Sequence, residues 1–308
     1  SGDISGDTAI FGAAYVTVSS QNDAGAAFVF TRSGSTWSQQ QKLTPSDVGA
    51  MDYYGQAVAI DGDTVVVGSP YEDQGYPSYY QVGAIYVYTR SGTTWSQQAK
   101  KIPSDPQQYG YFGKSVAMDS GTIAVGATNY SVNSGQGAVY ILTGSGSSWS
   151  QQTKIIGGAS GDYFGHTVAI DGDTLVVGAY YEDSEATNAG AAYVFTRSGT
   201  TWTQQQKLTA SDGAVNDNFG KDVAIDVSTA PATVVVGSPY TESGVGGAYV
   251  FTRNGTTWTQ KAKLTSSSAN ADYFGGVVGI DDDVIVVGDS SDDTGAAGRG
   301  SATFFIGS

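Results

Sequence analysis

Short stretches of alternating apolar and polar residues run along this chain, as expected of half-buried β-strands. Residues 162 to 209 show the arrangement most clearly. They predict four strands, a to d in chain order, at residues 164–170, 174–178, 191–196 and 202–208. Asp171-Gly172 lies between strands a and b, and Ser198-Gly199 between c and d, and both dipeptides are typical of tight β-hairpins. Each such unit is therefore predicted to be a four-stranded antiparallel meander.

The same unit recurs about every 55 residues. The tryptophans mark predicted strand d, and an aromatic-glycine pair precedes strand a. The tryptophans are Trp37, Trp95, Trp149, Trp202 and Trp258. The pairs are Tyr54-Gly55, Phe112-Gly113, Phe164-Gly165, Phe219-Gly220 and Phe274-Gly275.

A single small meander is marginal in water, so repeated meanders are expected to pack face to face. The chain is thus predicted to be all-β, one β-propeller domain over residues 1–308 with six blades. The predicted blades are residues 1–47, 48–105, 106–158, 159–212, 213–268 and 269–308. We expect both terminal blades to be incomplete, since the first begins at the tail of a strand a and the last ends after strand c. The chain would then be a piece of a longer protein, or a neighbouring chain or an unusual closure would supply the missing strands.

The Phe-Gly pairs, the Gly68-Ser69-Pro70 and Gly237-Ser238-Pro239 segments after strand b, and the Gly-Ala-Ala-Tyr-Val-Phe pattern of strand c resemble FG-GAP repeats. That family includes the propeller of integrin α-subunits and many secreted microbial proteins. The resemblance implies a propeller and an extracellular or cell-surface location, and it leaves the activity open, because one fold hosts many functions. Calcium-binding repeats of integrins carry a longer acidic loop between a and b. Here Asp61-Gly62-Asp63 is too short to supply six to eight oxygens, so we expect no calcium there.

Charge narrows the range of partners. The 14 Lys and Arg residues face 29 Asp and Glu residues, a net charge of −15, which disfavours nucleic acid and anionic lipid. No apolar run reaches the roughly 20 residues of a membrane helix, so membrane insertion is not expected. The chain has no cysteine and therefore no disulfide or thiolate site.

Candidate binding residues lie in the b–c and d–a loops, which a meander places at one end of each blade. Carboxylates beside tyrosine rings suit a carbohydrate or calcium site. The alternative is that each Asp caps the backbone and each Tyr packs between blades. Candidate ligand-binding residues are Tyr71, Glu72, Asp73, Tyr76, Tyr79, Tyr80, Tyr181, Glu182, Asp183, Tyr240 and Glu242. Candidate calcium ligands are Asp52, Asp162, Asp217 and Asp272, each two residues before the aromatic of the next strand a.

The chain contains few of the residues that enzymes use for catalysis. The one histidine, His166, occupies a position that other repeats fill with Gln56, Lys114, Lys221 or Gly276, as expected of an ordinary strand residue. Without cysteine or a second histidine, His-based nucleophile systems and His-rich zinc sites are not expected. Arg32, Arg90, Arg197 and Arg253 end strand c beside the a–b turns, where we expect ion pairs with residues such as Asp63 and Asp173.

The sequence therefore predicts a non-enzymatic recognition or adhesion module that binds a protein or a glycan through its loops. One alternative is a structural subunit of an extracellular oligomer or filament, in which open terminal blades self-associate. A third hypothesis is a polysaccharide hydrolase, which would need two carboxylates about 5 to 10 Å apart.

Overall fold

A computed structural model describes residues 1–47, 49–74, 80–128, 136–266, 273–290 and 300–306. Within these ranges the chain forms 23 β-strands in six antiparallel sheets and one short helix, α1 (Thr241–Gly244). The chain divides into two compact units, Ser1–Ile156 and Gly157–Ser308, and each contains three of the sheets. The chain is therefore all-β with six propeller blades, as predicted. The described helix is far too short to cross a membrane.

The first unit contains three four-stranded blades in which neighbouring strands follow chain order. Blade 1 comprises β1 (Gly2–Ser5), β2 (Thr8–Ala13), β3 (Ala26–Ser33) and β4 (Thr36–Leu43). Blade 2 comprises β5 (Ala57–Asp61), β6 (Thr64–Ser69), β7 (Ala84–Ser91) and β8 (Thr94–Lys101). Blade 3 comprises β9 (Ser115–Asp119), β10 (Thr122–Ala127), β11 (Ala138–Ser145) and β12 (Ser148–Ile156).

The second unit repeats the plan with two four-stranded blades and one three-stranded blade. Blade 4 comprises β13 (Thr167–Asp171), β14 (Thr174–Ala179), β15 (Ala191–Ser198) and β16 (Thr201–Leu208). Blade 5 comprises β17 (Val223–Asp226), β18 (Thr233–Ser238), β19 (Gly247–Asn254) and β20 (Thr257–Leu264). Blade 6 comprises β21 (Val277–Asp281), β22 (Val284–Asp289) and β23 (Ser301–Ile306).

The terminal blades differ from each other. Blade 1 is complete, because β1 pairs with β2 from Gly2↔Phe11 to Ser5↔Thr8. The expectation of an incomplete first blade was therefore wrong; a strand of four residues is easily missed when its apolar pattern is so brief. Blade 6 has three strands, as expected, and no described strand pairs with the outer edge of β23.

Consecutive blades within a unit pack face to face. We call the side of a blade that meets the preceding blade its rear face, and the side that meets the following blade its forward face. Between blades 1 and 2, the forward residues Ile10, Val29 and Leu43 pack with the rear residues Tyr86 and Trp95, and all five are buried. The equivalent core lies between blades 4 and 5. The second strand of blade 2, β6, is apolar on both faces because it contributes to the cores with blade 1 and with blade 3.

A glycine-aromatic joint ties each blade to the next one within a unit. Gly25 forms a parallel bridge with Tyr54, and Gly83 forms one with Phe112. The second unit has the equivalent pairs, Gly190 with Phe219 and Gly246 with Phe274. A Cβ atom at Gly83 would lie 2.1 Å from the Phe112 carbonyl oxygen, and the φ of Gly83 is +85°. Only glycine fits such a close backbone approach, which explains why the Phe-Gly and Gly-Ala signatures recur together.

Candidate binding face

The b–c and d–a loops meet at one end of each blade, as the meander predicts. In blade 2, Lys100 on β8 forms ion pairs with Asp47 in the preceding d–a loop and with Glu72 in the b–c loop. We call this end the loop face. The a–b and c–d hairpin turns lie at the opposite end.

A cluster of lysine, aspartate and tyrosine repeats beneath the loop face. Lys100 Nζ lies 2.6 Å from Asp47 Oδ2, and the Tyr86 hydroxyl donates a 2.9 Å hydrogen bond to Asp47 Oδ1. These contacts hold the pKa of Asp47 below its usual value despite its partial burial. The same trio recurs as Lys154, Asp105 and Tyr140, and as Lys263, Asp212 and Tyr249. The recurrence indicates a structural role, since each of these three blades uses the cluster to attach its loops to its outer strand.

Two candidate ligands belong to this buried framework. Glu72 is buried and ion-paired with Lys100, and Glu182 is buried and lies 2.8 Å from Lys207. Burial outweighs the lysine and raises the pKa of Glu72 to about 7. Their carboxylates therefore hold the loops from inside. The sequence could not reveal this, because the lysine that reaches each glutamate comes from a strand 25 to 28 residues further along the chain.

The candidate calcium ligands Asp52, Asp162 and Asp217 are buried as well. Each accepts a hydrogen bond from the backbone N–H three residues earlier, at Gly49, Ala159 or Ala214, and so closes the d–a loop. Burial raises the pKa of Asp52 to about 6. Asp272 lies outside the described residues. In the part of the chain that the structure describes, no three acidic or histidine side chains form a group that could hold a metal ion. Asp52, Asp162 and Asp217 therefore act as backbone caps, which is the alternative role considered for them from the sequence.

Four tyrosines form a continuous ladder across the loop face of the first unit. Tyr15 contacts Tyr53 with ring centroids 5.4 Å apart, Tyr53 contacts Tyr71 at 4.8 Å, and Tyr71 contacts Tyr111 at 5.0 Å. Tyr15 is 74% exposed, and the other three are partly exposed. A pocket of about 330 Å³ lies beside Tyr15, and Ala14 and Gln56 also line it. We call these four residues the tyrosine ladder.

Backbone geometry fixes the positions of two rings of the tyrosine ladder. Tyr53 and Tyr111 precede the aromatic of the glycine joint and have φ of +51° and +54°. Their N–H groups donate to the carbonyl oxygens of Asp23 and Gln81 in the preceding blade. Since the left-handed conformation is costly for a bulky side chain, the two rings are held by the blade junctions.

The second unit presents two smaller tyrosine groups on its loop face. Tyr180 contacts Tyr163 at 5.3 Å and Tyr181 at 4.3 Å. Lys221 Nζ lies 4.1 Å from the centre of the Tyr180 ring, and the His166 ring lies 4.5 Å from it. His166 is thus part of an aromatic and cationic cluster immediately before β13, and the expectation that it is an ordinary strand residue was wrong.

The other group, Tyr240 and Tyr273, has centroids 5.2 Å apart, and both rings are exposed. They border a cleft of about 630 Å³ that Pro239, Gly276 and Asp289 also line.

The remaining sequence-based candidates divide into three groups. Tyr71, Tyr181 and Tyr240 lie at the surface in tyrosine contacts, and Tyr80 contacts Tyr109 at 5.5 Å. Asp73 and Asp183 accept backbone N–H groups within their own loops, and Glu242 pairs with Lys263 at 2.7 Å. Tyr76 and Tyr79 lie outside the described residues.

Sequence reasoning missed Tyr15, Tyr53, Tyr111, Tyr163 and Tyr273. A signal was present, since four of the five aromatic-glycine pairs are directly preceded by tyrosine.

The turn end of the blades is organised by arginine. Arg90 Nη2 lies 2.6 Å from Asp63 Oδ1, and its guanidinium lies 5.1 Å from the centre of the Trp95 ring. Arg32 pairs with Asp7 and Arg197 with Asp173 in the same way, so the predicted ion pairs are confirmed. Of these two kinds of contact, Arg253 makes only the aromatic one, with its guanidinium 5.4 Å from the centre of the Trp258 ring. These arginines are engaged in intramolecular contacts, which makes this end a poor candidate for a binding face.

The comparisons with known proteins agree with this architecture. The FG-GAP repeat model matches five segments, residues 37–88, 95–142, 149–195, 202–251 and 258–305. Each match begins at a repeat tryptophan on an outer strand and runs into the third strand of the following blade, so five matches span six blades. The comparison with curated proteins found no match. Since the five segments cover well over half of the sequence, the chain belongs to the FG-GAP repeat family.

Proposed function

We propose that this protein is an extracellular recognition module that binds a glycan or protein ligand through the tyrosine ladder. The observation that carries the proposal is the unbroken series of ring contacts from Tyr15 to Tyr111, with rings still accessible at the loop face. Adjacent exposed aromatic rings are unusual on a protein surface unless they bind a ligand, because covering each ring lowers the free energy.

The ladder has the chemistry of a binding platform. A tyrosine ring offers an apolar face to the C–H groups of a pyranose or to an apolar side chain, and its hydroxyl hydrogen-bonds at the edge. Because the blade junctions already fix Tyr53 and Tyr111, little conformational entropy remains to be lost on binding. The net charge of −15 favours a neutral or basic ligand over an acidic one.

Binding is also better supported than catalysis. The carboxylates beneath the loop face are engaged with lysines, tyrosine hydroxyls and backbone N–H groups in several repeats. A hydrolase would need one repeat to differ by presenting two accessible carboxylates. Calcium as a ligand stays a prediction, which calorimetry with CaCl₂ would test.

The test is binding to immobilised neutral and acidic glycans and to extracellular-matrix proteins. Tyr71→Ala should weaken binding about tenfold or more, because one buried aromatic contact is worth about 1 to 3 kcal/mol. Tyr15→Ala should act in the same direction. These two positions are chosen because neither has the left-handed backbone of Tyr53. Tyr71→Phe is the matched control, since it keeps the ring and removes only the hydroxyl.

Unchanged binding by both alanine variants would refute the ladder as the binding site. Loss of binding in Tyr240→Ala, with the ladder variants unaffected, would move the site to the cleft of the second unit. Thermal melting of each variant establishes that the fold is intact.

A further inference from the structure

The rear face of blade 1 is exposed although its residues match those of a blade core. Ile4, Phe11 and Trp37 are 59%, 52% and 40% exposed. The residues at the same register positions in blade 2 are Ile60, Val67 and Trp95, and they are 4%, 0% and 2% exposed. Blade 1 therefore presents to solvent the surface that blade 2 buries against its neighbour.

This rear face contains an apolar groove of about 670 Å³. Its walls include Ile4, Ala9, Phe11, Phe30 and Trp37. The rings of Phe11 and Phe30 contact each other edge to face at 5.7 Å. Asp3 also borders the groove, but one of its carboxylate oxygens accepts the backbone N–H of Ile60 in blade 2, on the other side of the sheet. The centre of the groove thus carries no charged group that would oppose an apolar partner.

The forward face of blade 6 is uncovered in the same way. Val277, Val284, Phe304 and Ile306 are 65%, 41%, 68% and 80% exposed. They alternate with Val278, Ile285 and Phe305, which pack toward blade 5. The residues at the positions of Val284 and Phe304 in the other blades are mostly small or β-branched, so the Phe304 ring projects further than its counterparts.

The blade junctions inside each unit show what covers such surfaces. Every one of them joins the forward face of one blade to the rear face of the next. Blade 6 offers an unpaired forward face and blade 1 an unpaired rear face. A second copy of this chain matches both, because its blade 1 presents a rear face to blade 6 of the first copy and its blade 6 presents a forward face to blade 1 of the first copy.

We infer that copies of this protein associate head to tail, with the forward face of blade 6 in one copy packed on the rear face of blade 1 in the next. The two surfaces differ, so the contact is heterologous, and a pair of associated copies still offers one free rear face and one free forward face. Such an interface produces a ring or an open chain of copies, and it does not produce a two-fold dimer. The inference concerns assembly and does not depend on the tyrosine ladder.

Two features set the strength of this contact. Blade 6 has no described fourth strand, so the glutamine contacts that its counterparts make with a following tryptophan are missing, and the association is weaker than an internal junction. The net charge of −15 also opposes the approach of two copies. Salt screens that repulsion and leaves the apolar contact in place, so association should increase between about 0.1 and 1 M NaCl.

The test measures mass by sedimentation over protein concentrations up to about 1 mM. The wild type should show a rising average mass. Phe304→Asp blocks the forward face and Phe11→Asp blocks the rear face, and each variant alone should remain a monomer. Their equimolar mixture should form a heterodimer, since each supplies the face that the other lacks, and growth should stop there. Thr200→Asp, at an exposed position in the turn between β15 and β16 of blade 4, is the control that introduces the same charge away from both faces and should behave like the wild type.

Three outcomes would overturn the inference. A wild type that is monomeric at every concentration and salt level shows that the faces do not associate between copies. Dimers of Phe11→Asp alone indicate a symmetric contact between two forward faces, and dimers of Phe304→Asp alone indicate one between two rear faces. Equal melting temperatures for the variants and wild type establish that lost association reflects the faces and not unfolding.

Discussion

The indole Nε1 of Trp95 donates a 2.7 Å hydrogen bond to Oε1 of Gln40 on the outer strand of the preceding blade. Trp258 and Gln205 make the same contact at 2.7 Å in the second unit. The neighbouring glutamine, Gln41, accepts from the backbone N–H of Trp95 and donates to its carbonyl oxygen, both at 2.8 Å. The sequence Trp-x-Gln-Gln-Gln, which occurs in blades 1 and 4, therefore joins the outer strand of each of these blades to the outer strand of the next.

Replacement of Gln41 by alanine should destabilise the first unit by about 1 to 2 kcal/mol, because two partly buried backbone groups of Trp95 lose their partner. Urea denaturation measures the loss. Gln39→Ala, on the same strand but exposed, should change the free energy of unfolding by less than about 0.5 kcal/mol. Equal effects of the two substitutions would show that the glutamine contact contributes nothing. Ala99 occupies the equivalent position in blade 2, so the fold tolerates this loss.

Replacement of Gly83 by alanine should cost more than about 3 kcal/mol, because the new Cβ would meet the backbone of Phe112 at the glycine joint. Gly92→Ala is the matched control. Gly92 also has a left-handed φ, +61°, but no atom lies within 4 Å of its Cβ position. Gly92→Ala should lower the free energy of unfolding by about 1 kcal/mol, the ordinary penalty for a left-handed alanine. Similar melting temperatures for the two variants would contradict the steric explanation.

Replacement of Glu72 by glutamine should flatten the pH dependence of stability. Burial raises the pKa of Glu72 to about 7, so between pH 4.5 and 7 the native state binds a proton that the unfolded state has released. Its contribution to the free energy of unfolding is therefore present at low pH and is lost as the pH rises through 7. Asp52, with a pKa raised to about 6, acts in the same direction.

The measurement is a series of urea titrations of the wild type and Glu72→Gln across this pH range. The wild type should lose more stability than the variant as the pH increases. Asp63→Asn, at the turn end of the same blade, is the control and should follow the wild type. A steeper loss in Glu72→Gln would mean that the ion pair with Lys100 outweighs burial.

Arg90→Ala should destabilise the protein more than Asp63→Ala. The ion pair between the two is exposed on the aspartate side and is worth about 0 to 1 kcal/mol. Arg90 additionally covers the Trp95 ring, which adds about 0.5 to 1 kcal/mol. Denaturation in high salt should reduce the effect of Asp63→Ala, while most of the Arg90→Ala effect should persist. Equal effects of the two variants would assign the whole contribution to the ion pair.

The sequence by itself determined the repeat, the four strands of a unit, the hairpin turns and the arginine-aspartate pairs. These features are local: alternation specifies which side of a strand is apolar, and Asp-Gly or Ser-Gly specifies where it turns. The pair between Arg197 and Asp173 follows from hairpin register alone, because β14 and β15 are adjacent strands.

Only the tertiary structure decided which loop residues are available to a ligand. Glu72 and Tyr71 are neighbours in the chain, yet the carboxylate is turned inward to Lys100 and the ring outward to Tyr53 and Tyr111. The contacts that separate them come from β8 and from the d–a loops before β5 and β9, so no local pattern records them. The ladder and the uncovered end blades likewise depend on which blade lies against which, and packing between sheets determines that.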